Sequence, residues 1–445
     1  MPLSPARRFA FDVLLAVEQR GAYASALLHS AEGERLAAAD QRLAMQIVFG
    51  VLRWRGQLDF IIAGLVLRPL SKLDVAVLTV LRMSVYQLRH LERAPASAVV
   101  NDAVNLTRRA RCSSAAGLVN AVLRACPREP IAELLTGHRA AQPVELSHPE
   151  WMLRRWTAAF GSAVAEGIAN HDNAVPPTTI HVNTARVDMA KVREQLRAAG
   201  IQTRESDLLG CALHIEVGDV RSTPLFASGE VWIQDEASQL VALLLGNGGT
   251  TPILDCCAAP GGKTAILREL HPLAPILALD LHPHRAQLLK RLRSRQLIEV
   301  VAADARRPLP TARQFDRILA DLPCSGTGTL ARNPEIRWRL NEADVERMAL
   351  NQLEIIRNVA GSLALGGRMV YSVCSLEPEE GEGVVTTLLH EDQTLQLLPA
   401  ETVLATLRAP GWVRRDGLTR GPFLLTTPGE VPGDGFFAAV ITRRV

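Results

Sequence analysis

The sequence predicts three successive parts: an all-α region, a small α/β module, and a doubly wound α/β domain with a mostly parallel sheet. Three observations predict this order. Apolar residues recur at helical spacing before about residue 126, short extended runs surround one helix from Thr178, and apolar strands alternate with amphipathic helices from about residue 237. We expect the domain bounds to be 1–140, 141–236 and 237–445.

The all-α region contains segments whose apolar residues repeat every three or four positions, separated by short breaks at glycine or proline. A proline-rich stretch near residues 127–150 then predicts a linker, and a further helical segment follows it. The segments are FAFDVLLAVEQ, RLAMQIVFGVLRW, LDVAVLTVLRMSVYQL, AVVNDAVNLTRRA and, after the linker, WMLRRWTAAFG.

The small module contains short extended runs around one amphipathic helix. The predicted strands are TTIHVNT, CALHIEV and GEVWIQD, and the predicted helix is MAKVREQLRAAG.

The third part alternates apolar strands with helices, which is typical of a parallel sheet covered on both faces. The predicted strands are TPILDCCAA, APILALDL, EVVAADA, FDRILADLP and GRMVYSVCS, and the helices are KTAILREL, HRAQLLKRLRSRQL and a long one near 342–360. The final run DGFFAAVITRR predicts an antiparallel edge strand.

The composition is that of an ordinary soluble protein, and it argues against a membrane protein, a disulfide-rich protein and a metal-binding protein. No apolar run approaches the roughly 18 residues that span a bilayer, so we expect a cytoplasmic protein. The 7 cysteines among 445 residues are too sparse for a disulfide framework. No C-x-x-C pair occurs, and we therefore expect no metal site.

Charge is distributed unevenly along the chain. Residues 1–140 hold 18 lysines and arginines against 11 acids, whereas the remainder holds 31 against 35. A basic region beside a mildly acidic one favours a polyanionic partner such as nucleic acid. The alternative is a coding bias, because arginine far outnumbers lysine throughout the sequence.

The predicted ends of the parallel strands carry unusual residues, and ligands of doubly wound sheets bind at such ends. The first strand runs into CCAAPGGKT, where Gly261 and Gly262 allow a tight turn before a helix with free N–H groups. A Walker A loop is excluded because Cys257 occupies its first glycine position, and no G-x-G-x-x-G occurs.

Acids follow at the ends of the second and third strands. Asp280 is placed to accept hydrogen bonds from the two hydroxyls of a ribose, although capping a helix is the alternative. Asp304 is placed to accept from an amine or to cap the next turn. Together with the glycine loop, these acids favour a mononucleoside-type cofactor such as S-adenosylmethionine.

Two cysteines follow the fourth and fifth strands. Cys324 ends the run Asp321-Leu322-Pro323-Cys324, and Cys374 ends the fifth strand. A single buried cysteine is commonly an inert small hydrophobe. Two cysteines at neighbouring strand ends beside a predicted cofactor cleft favour a catalytic role over a packing role.

Three loops closely resemble the signature loops of the Nol/Nop/Sun family of RNA 5-methylcytosine methyltransferases: DCCAAPGGKT, DLPCSGTG and YSVCSLEPEE. The resemblance covers about residues 178–445 and includes VWIQDEASQL, which is similar to the stretch before the family's cofactor domain. The helical N-terminus resembles the NusB-type RNA-binding domain of bacterial members. The resemblance implies a Rossmann-like domain that uses S-adenosylmethionine to methylate C5 of a cytosine of the position-967 type in 16S rRNA.

The resemblance also implies residue roles. It assigns the attacking thiol to Cys374, product release to Cys324, and an acid near N3 of the base to Asp321. Chemistry alone leaves the two cysteines interchangeable, because DNA 5-methylcytosine enzymes attack with the Pro-Cys thiol. The implied cofactor contacts are Cys257, Ala258, Ala259, Pro260, Gly261, Gly262, Lys263, Asp280, Asp304 and Asp321.

Two positions carry open questions. Lys263 is either a charge that lowers the pKa of the nearby thiol or a solvated first-turn lysine. The family usually has threonine before the nucleophile, where this chain has Val373. We expect that this change leaves activity in place.

Alternatives remain within and outside this class. A related methyltransferase could act on tRNA or on another rRNA site. An RNA-binding assembly or antitermination factor with a decayed catalytic domain is a different class, but intact Asp321, Cys324 and Cys374 argue against decay. We expect a monomer that binds small-subunit rRNA.

Overall fold

The computed structural model describes residues 3–138, 141–247, 249–292 and 298–444. The chain divides into two compact units, Met1–Ala174 with Leu330–Arg339, and Val175–Thr329 with Leu340–Val445. The predicted fold class is confirmed, since an all-α unit precedes a small α/β module and a larger α/β sheet. The predicted bounds of the three domains stay predictions.

The first unit is helical, and its core lies between α1, α4 and α5. Helix α1 begins with Ser4 as its cap and Pro5 in the first turn, and it ends at Gly21 in the left-handed conformation. The helices are α1 Pro5–Arg20, α2 Ala24–Leu28, α3 Ala31–Glu34, α4 Ala38–Leu65, α5 Val75–His90, α6 Ala96–Arg109, α7 Ala116–Ala125, α8 Ile131–Leu134, α9 Ala141–Glu145, α10 Glu150–Phe160 and α11 Ser162–Asn173. The proline-rich stretch that predicts a linker therefore contains short helices.

A ten-residue segment from much later in the chain, Leu330–Arg339, completes this first unit. Its Arg337 is fully buried and donates hydrogen bonds to Ser147 O at 3.1 Å, Asn173 Oδ1 at 2.9 Å and Asp172 O at 3.1 Å. Burial lowers the pKa of Arg337 to about 10, which still leaves the guanidinium charged at neutral pH. The arginine therefore holds a distant segment in place through two buried backbone acceptors and one partly buried amide oxygen.

The second unit begins with a four-stranded antiparallel sheet in the order β2-β3-β1-β4. Its apolar core lies between this sheet and α12. The elements are β1 Thr178–Val182, α12 Met189–Ala198, β2 Gln202–Glu205, β3 Ala212–Val217, α13 Pro224–Ala227 and β4 Val231–Ile233. The predicted strands and helix of the small module are confirmed.

The larger sheet has the order β11-β12-β13-β9-β8-β5-β6-β7, and β10 also pairs with β13. Strands β9, β8, β5, β6 and β7 are parallel neighbours. The elements are α14 Glu236–Leu243, β5 Ile253–Asp255, α15 Gly262–Leu270, β6 Ile276–Asp280, α16 Pro283–Leu292, β7 Ile298–Ala302, β8 Phe315–Asp321, α17 Glu342–Ala360, β9 Leu363–Val373, α18 Val384–Glu391, β10 Leu395–Leu398, α19 Ala400–Arg408, β11 Thr419–Arg420, β12 Phe423–Thr426 and β13 Phe436–Arg443.

The last strand corrects one prediction. Strand β13 is antiparallel, as expected, but it is not an edge strand, because it lies between β9 and β12. The hairpin of β11 and β12 covers it, and both strands are too short to stand out as periodic runs in the sequence. Residues 293–297 of the predicted helix HRAQLLKRLRSRQL lie outside the described residues.

Within the described part of the chain, no helix has the length and apolar character needed to span a membrane.

Replacing Arg337 with methionine should destabilise the first unit by about 3 kcal/mol, because two buried acceptors and one partly buried acceptor lose their donor. Urea unfolding followed by tryptophan fluorescence measures this change, since Trp54, Trp151, Trp156 and Trp338 all belong to that unit. The control is Arg42→Met, at an exposed position of α4. Equal unfolding midpoints for the two variants would contradict the anchoring role of Arg337.

Candidate functional site

The residues singled out in the sequence lie at or just beyond the carboxyl ends of five adjacent parallel strands. The order β9-β8-β5-β6-β7 places Cys374, Asp321, Asp280 and Asp304 along one edge of the sheet, together with Asp255, which the sequence did not single out. Strands β6 and β7 lie on one side of β5, and β8 and β9 lie on the other. This is the topological switch point at which doubly wound sheets bind ligands.

The loop between β5 and α15 forms the centre of this edge. Gly261 has φ 104° and ψ 14°, a left-handed conformation that glycine adopts without strain, and the peptide bond between Ala259 and Pro260 is cis. Thr264 donates a hydrogen bond to Asp255 Oδ2 at 2.7 Å, which ties the end of the strand to the first turn of the helix. Burial raises the pKa of Asp255 to about 7.

Lys263 extends from this loop to the end of β8. Its Nζ lies 2.8 Å from Asp321 Oδ2 and 5.1 Å from the centre of the Phe436 ring. Burial is the largest influence on the pKa of Lys263 and lowers it, but Asp321 and then Cys374 and Asp255 raise the pKa above its ordinary value. With a side chain only 15% exposed, Lys263 fits the role of a charged group in the cleft better than that of a solvated lysine.

The two acids on the other side of β5 already have partners in the protein. Asp280 Oδ1 accepts from the backbone N–H of His282 at 2.9 Å, and Oδ2 lies 3.7 Å from Arg285. Asp304 accepts from Nε and Nη2 of Arg306 at 3.0 and 2.8 Å, and these bonds lower the pKa of Asp304. Asp280 therefore keeps acceptor capacity for a ligand, whereas Asp304 would have to exchange its arginine.

The two cysteines are brought together by the pairing of β8 with β9. Their Sγ atoms are 3.2 Å apart, within contact distance of a shared hydrogen bond. The hydrogen bond with Cys374, together with burial, raises the pKa of Cys324 well above its ordinary value. Either sulfur can donate this hydrogen bond, so that when one thiol ionises the other can stabilise the resulting thiolate.

The Cys324 loop is packed against the backbone of its neighbours. Gly328 donates its N–H to Cys374 O at 3.0 Å, and a Cβ on Gly328 would approach Gly435 O to 2.1 Å. Only glycine fits at this position. The loop is thereby fixed next to the end of β9.

A buried acid that the sequence did not single out binds both cysteine loops. Glu380 is fully buried and accepts from the backbone N–H and the hydroxyl of Ser325, next to Cys324, and from the hydroxyl of Ser375, next to Cys374. Gln352 donates to Glu380 Oε1 at 2.9 Å, and the Tyr371 hydroxyl donates to Glu380 O. Burial is the largest influence on the pKa of Glu380 and raises it.

The available sequence signal for Glu380 was its place in YSVCSLEPEE, but acids in such a run are normally solvated. It lies in a short π-helical turn, Glu379–Gly383, a rare geometry that is frequent at functional sites. Val373, which replaces the usual threonine, is fully buried in the apolar core below the site. The methyl groups of Val373 therefore pack against apolar neighbours, and valine suits this position.

Comparison with known proteins identifies each part of the chain. Residues 241–442 match the 16S rRNA methyltransferase RsmB/F family, residues 4–128 match the NusB family, and residues 148–220 match the Methyltr_RsmF/B-like, ferredoxin-like domain. The predicted NusB-like and methyltransferase assignments are confirmed.

Relatives match over the whole length. The chain is 34% identical to the probable ribosomal RNA small subunit methyltransferase B of Bacillus subtilis, over 100% of both chains. It is 33% identical to ribosomal RNA small subunit methyltransferase B of Vibrio vulnificus, over 98% of this chain and 99% of the relative.

Solved structures share the fold. The crystal structure of PH0851 superposes with a TM-score of 0.81 at 23% identity, covering 100% of this chain and 99% of that one. The structure of NSun6 from Pyrococcus horikoshii with SFG gives a TM-score of 0.57 at 19% identity, covering 66% of this chain and 98% of that one.

These matches extend over the catalytic domain, the ferredoxin-like module and the helical N-terminus together. The chain therefore belongs to the family of ribosomal RNA small subunit methyltransferase B, and it is an rRNA methyltransferase.

Proposed function

We propose that the protein methylates C5 of a cytosine of the position-967 type in 16S rRNA, through a covalent bond between Cys374 Sγ and C6 of the base. The observation that carries this proposal is the pair of thiols 3.2 Å apart, beside the Lys263–Asp321 ion pair. C5 of cytosine is a poor nucleophile, and a thiolate that adds at C6 pushes electron density to C5. The site therefore contains the groups that this reaction needs.

The cleft residues fit S-adenosylmethionine as the cofactor. Asp280 has a carboxylate oxygen available for the ribose hydroxyls, and the loop from Cys257 to Gly262 leads into the N-terminus of α15. When bound, S-adenosylmethionine supplies the electrophilic methyl group that C5 takes after the thiolate has added at C6. The SFG-containing NSun6 structure supports a nucleoside-type ligand in this fold.

The resemblance of its loop to the signature loops of the family favours Cys374 as the nucleophile. In that assignment the Cys324 S–H donates to the Cys374 thiolate and stabilises it. Lys263 adds a positive charge near the same sulfur. Once Cys374 is bonded to C6, Cys324 no longer shares a proton with a thiolate. It then lies next to the cytosine, where it can act in the release step.

The Lys263–Asp321 ion pair is the part of the site that can stabilise charge on the cytosine ring. Asp321 accepts from Lys263 at 2.8 Å and from Ser372 Oγ at 2.8 Å, so its carboxyl is an acceptor in this arrangement. We infer that the proton shared between Lys263 and Asp321 stabilises the negative charge that develops at N3 of the ring after the thiolate adds at C6. To end the reaction, the Cys324 thiolate, formed once its own proton has passed to solvent, takes the C5 proton; the C5–C6 double bond re-forms, the C6–S bond breaks, and the electron pair of that bond returns to Cys374.

Glu380 positions both cysteines without touching the base. Its carboxylate holds the residues that follow Cys324 and Cys374, and Gln352 links it to Pro323 O at 3.0 Å. Loss of this acceptor would leave several donors unpaired and separate the two loops.

Asp280→Ala should weaken S-adenosylmethionine binding by roughly 10- to 100-fold, the effect of losing hydrogen bonds to a charged acceptor. Asp280→Asn keeps an acceptor for His282 N–H and should lose less. Isothermal titration calorimetry measures both affinities, and thermal unfolding of the free variants checks the fold. Unchanged affinity in both variants would remove Asp280 from the cofactor site.

Replacing the cysteines one at a time should separate their roles. Cys374→Ala should form neither product nor RNA adduct, because no thiolate reaches C6. Cys324→Ala should attack and methylate but stall with RNA attached, which appears as a slow band on a denaturing gel. Cys126→Ala, far from the site in sequence and in the first unit, is the control.

The same variants test the function in cells. Bisulfite sequencing of 16S rRNA from a deletion strain should show one lost mark, which the intact gene restores and the Cys374→Ala gene does not. An unchanged methylation pattern in the deletion strain would refute the proposed reaction. An adduct formed by Cys374→Ala would instead assign the attack to Cys324.

Glu380→Ala should slow adduct formation roughly 100-fold, the cost of misplacing a reacting group by about 1 Å. Glu380→Gln retains an acceptor for Ser325 N–H and should recover much of that rate. S-adenosylmethionine affinity should change less than about twofold in both variants, because Glu380 acts on the thiols. A parallel loss of cofactor affinity, or no recovery with glutamine, would show a general folding defect instead.

A further inference from the structure

The small α/β module contacts helix α15 at both of its ends. Helix α15 follows the predicted cofactor loop, residues 257–262, and carries Lys263 in its first turn. Gln234, directly after β4, lies against the start of this helix. His181 of β1 binds Glu269 in the last turn of the helix. The helix that leads out of the cofactor loop is therefore held at two points by a different part of the chain.

The contact at the start of α15 leaves no room for a side chain at Gly262. A Cβ on Gly262 would lie 2.7 Å from Gln234 Oε1, closer than non-bonded atoms approach. The Gln234 amide is held in place, because Trp232 Nε1 donates to its Oε1 at 2.8 Å and its Nε2 donates to Ser238 Oγ at 3.2 Å. Gly262 does not have a positive φ, so glycine is required here by the close approach of Gln234 and not by backbone conformation.

The contact at the end of α15 is a buried ion pair. Gln239 Nε2 donates to Gln234 O at 2.9 Å, so that Gln239 Oε1 faces His181 Nδ1 at 2.9 Å and requires a proton on that nitrogen. His181 Nε2 lies 2.7 Å from Glu269 Oε2, and the two side chains are 2% and 5% exposed. Burial alone lowers the pKa of His181, but Cys211 and Glu269 together raise it to about 10. The imidazole is therefore positively charged at neutral pH.

The two contacts belong to one network. The ring of His181 stacks on that of Trp232, with the ring centres 4.3 Å apart and the planes inclined by 28°. Trp232 donates to the side chain of Gln234, and Gln239 donates to its backbone carbonyl. Gln234 therefore takes part in both contacts, and the network holds α15 against the module as one unit.

We propose that Gln234, His181 and Glu269 are positioning residues for S-adenosylmethionine, which fix α15 and the cofactor loop against the small module before the cofactor binds. A loop that is already held in its binding geometry loses less conformational entropy when the ligand arrives. None of the three residues has to touch the cofactor for this effect. The proposal rests on the proposed function in taking the ligand of this loop to be S-adenosylmethionine.

A double-mutant cycle tests the contact at the start of α15. Gln234→Ala and Gly262→Ala should each weaken S-adenosylmethionine binding by about 10-fold, the first because support is lost and the second because the new methyl group clashes with Gln234. The double variant should bind more tightly than either single variant, because the methyl group then occupies space that the missing side chain leaves. Isothermal titration calorimetry with the full-length protein and S-adenosylmethionine alone measures these affinities. Gln195→Ala, at an exposed position of α12, is the control and should bind like the wild type.

Substitutions at Glu269 test the contact at the end of α15. Glu269→Ala should raise the KM for S-adenosylmethionine by roughly 10-fold and change kcat at saturating cofactor by less than about twofold, because the bound cofactor then holds the loop itself. Glu269→Gln keeps an acceptor for Thr184 N–H and should recover much of the affinity. Hydrogen exchange of the α15 backbone amides in the free protein should be faster in Glu269→Ala than in the control Glu194→Ala, which removes an exposed acid of α12.

Several outcomes would overturn the proposal while the proposed reaction stands. One is a cycle in which the double variant loses as much affinity as the two single variants together. Another is unchanged cofactor affinity in Glu269→Ala. A third is a loss of affinity that follows an equal loss of thermal stability in the free variants, since that result would indicate a general folding defect. Wild-type protein that does not bind S-adenosylmethionine would instead overturn the proposed function together with this proposal.

Discussion

The parallel pairing of β8 with β9 is the constraint on which the catalytic site depends. Asp321 pairs in register with Ser372, and Leu322 N–H donates to Ser372 O at 2.9 Å just beyond β8. The two loops therefore leave the sheet side by side. A slip of one residue would send the side chains to opposite faces, and a slip of two would move one loop by about 6.6 Å along the other. The contact between the thiols exists only in the observed register.

Much of this arrangement could be predicted from sequence because it follows from regular patterns. Alternating strands and helices indicate a parallel sheet, and a parallel sheet gathers its carboxyl ends at one edge, which brings Asp280, Asp321 and Cys374 together. Glu380 could not be predicted in this way, since a buried acid in a turn has no periodicity. Neither could the place of Arg337, because its acceptors at Ser147 and Asn173 are more than 150 residues away in the chain.

The site also carries polar groups at positions that favour apolar ones. Asp255 and Glu380 are both buried, and burial raises the pKa of each carboxyl group. Such groups cost stability unless their hydrogen bonds are complete, and both carboxyl groups accept from serine or threonine hydroxyls. What they provide is order: one fixes the cofactor loop to its helix, and the other fixes two cysteine loops to each other. The burial of these two acids costs some stability, and in return the reacting groups are held in a fixed geometry.

The segment Leu330–Arg339 bears on how such a protein can evolve. It lies inside the stretch that matches the methyltransferase family, residues 241–442, yet it folds with the helical unit at the other end of the gene. A recombination event that replaced only the N-terminal domain would bring in new surroundings for Arg337 without the segment selected to fill them. Substitutions near Ser147 and Asn173 are therefore constrained by the buried guanidinium of Arg337, although these positions lie far from it in the chain.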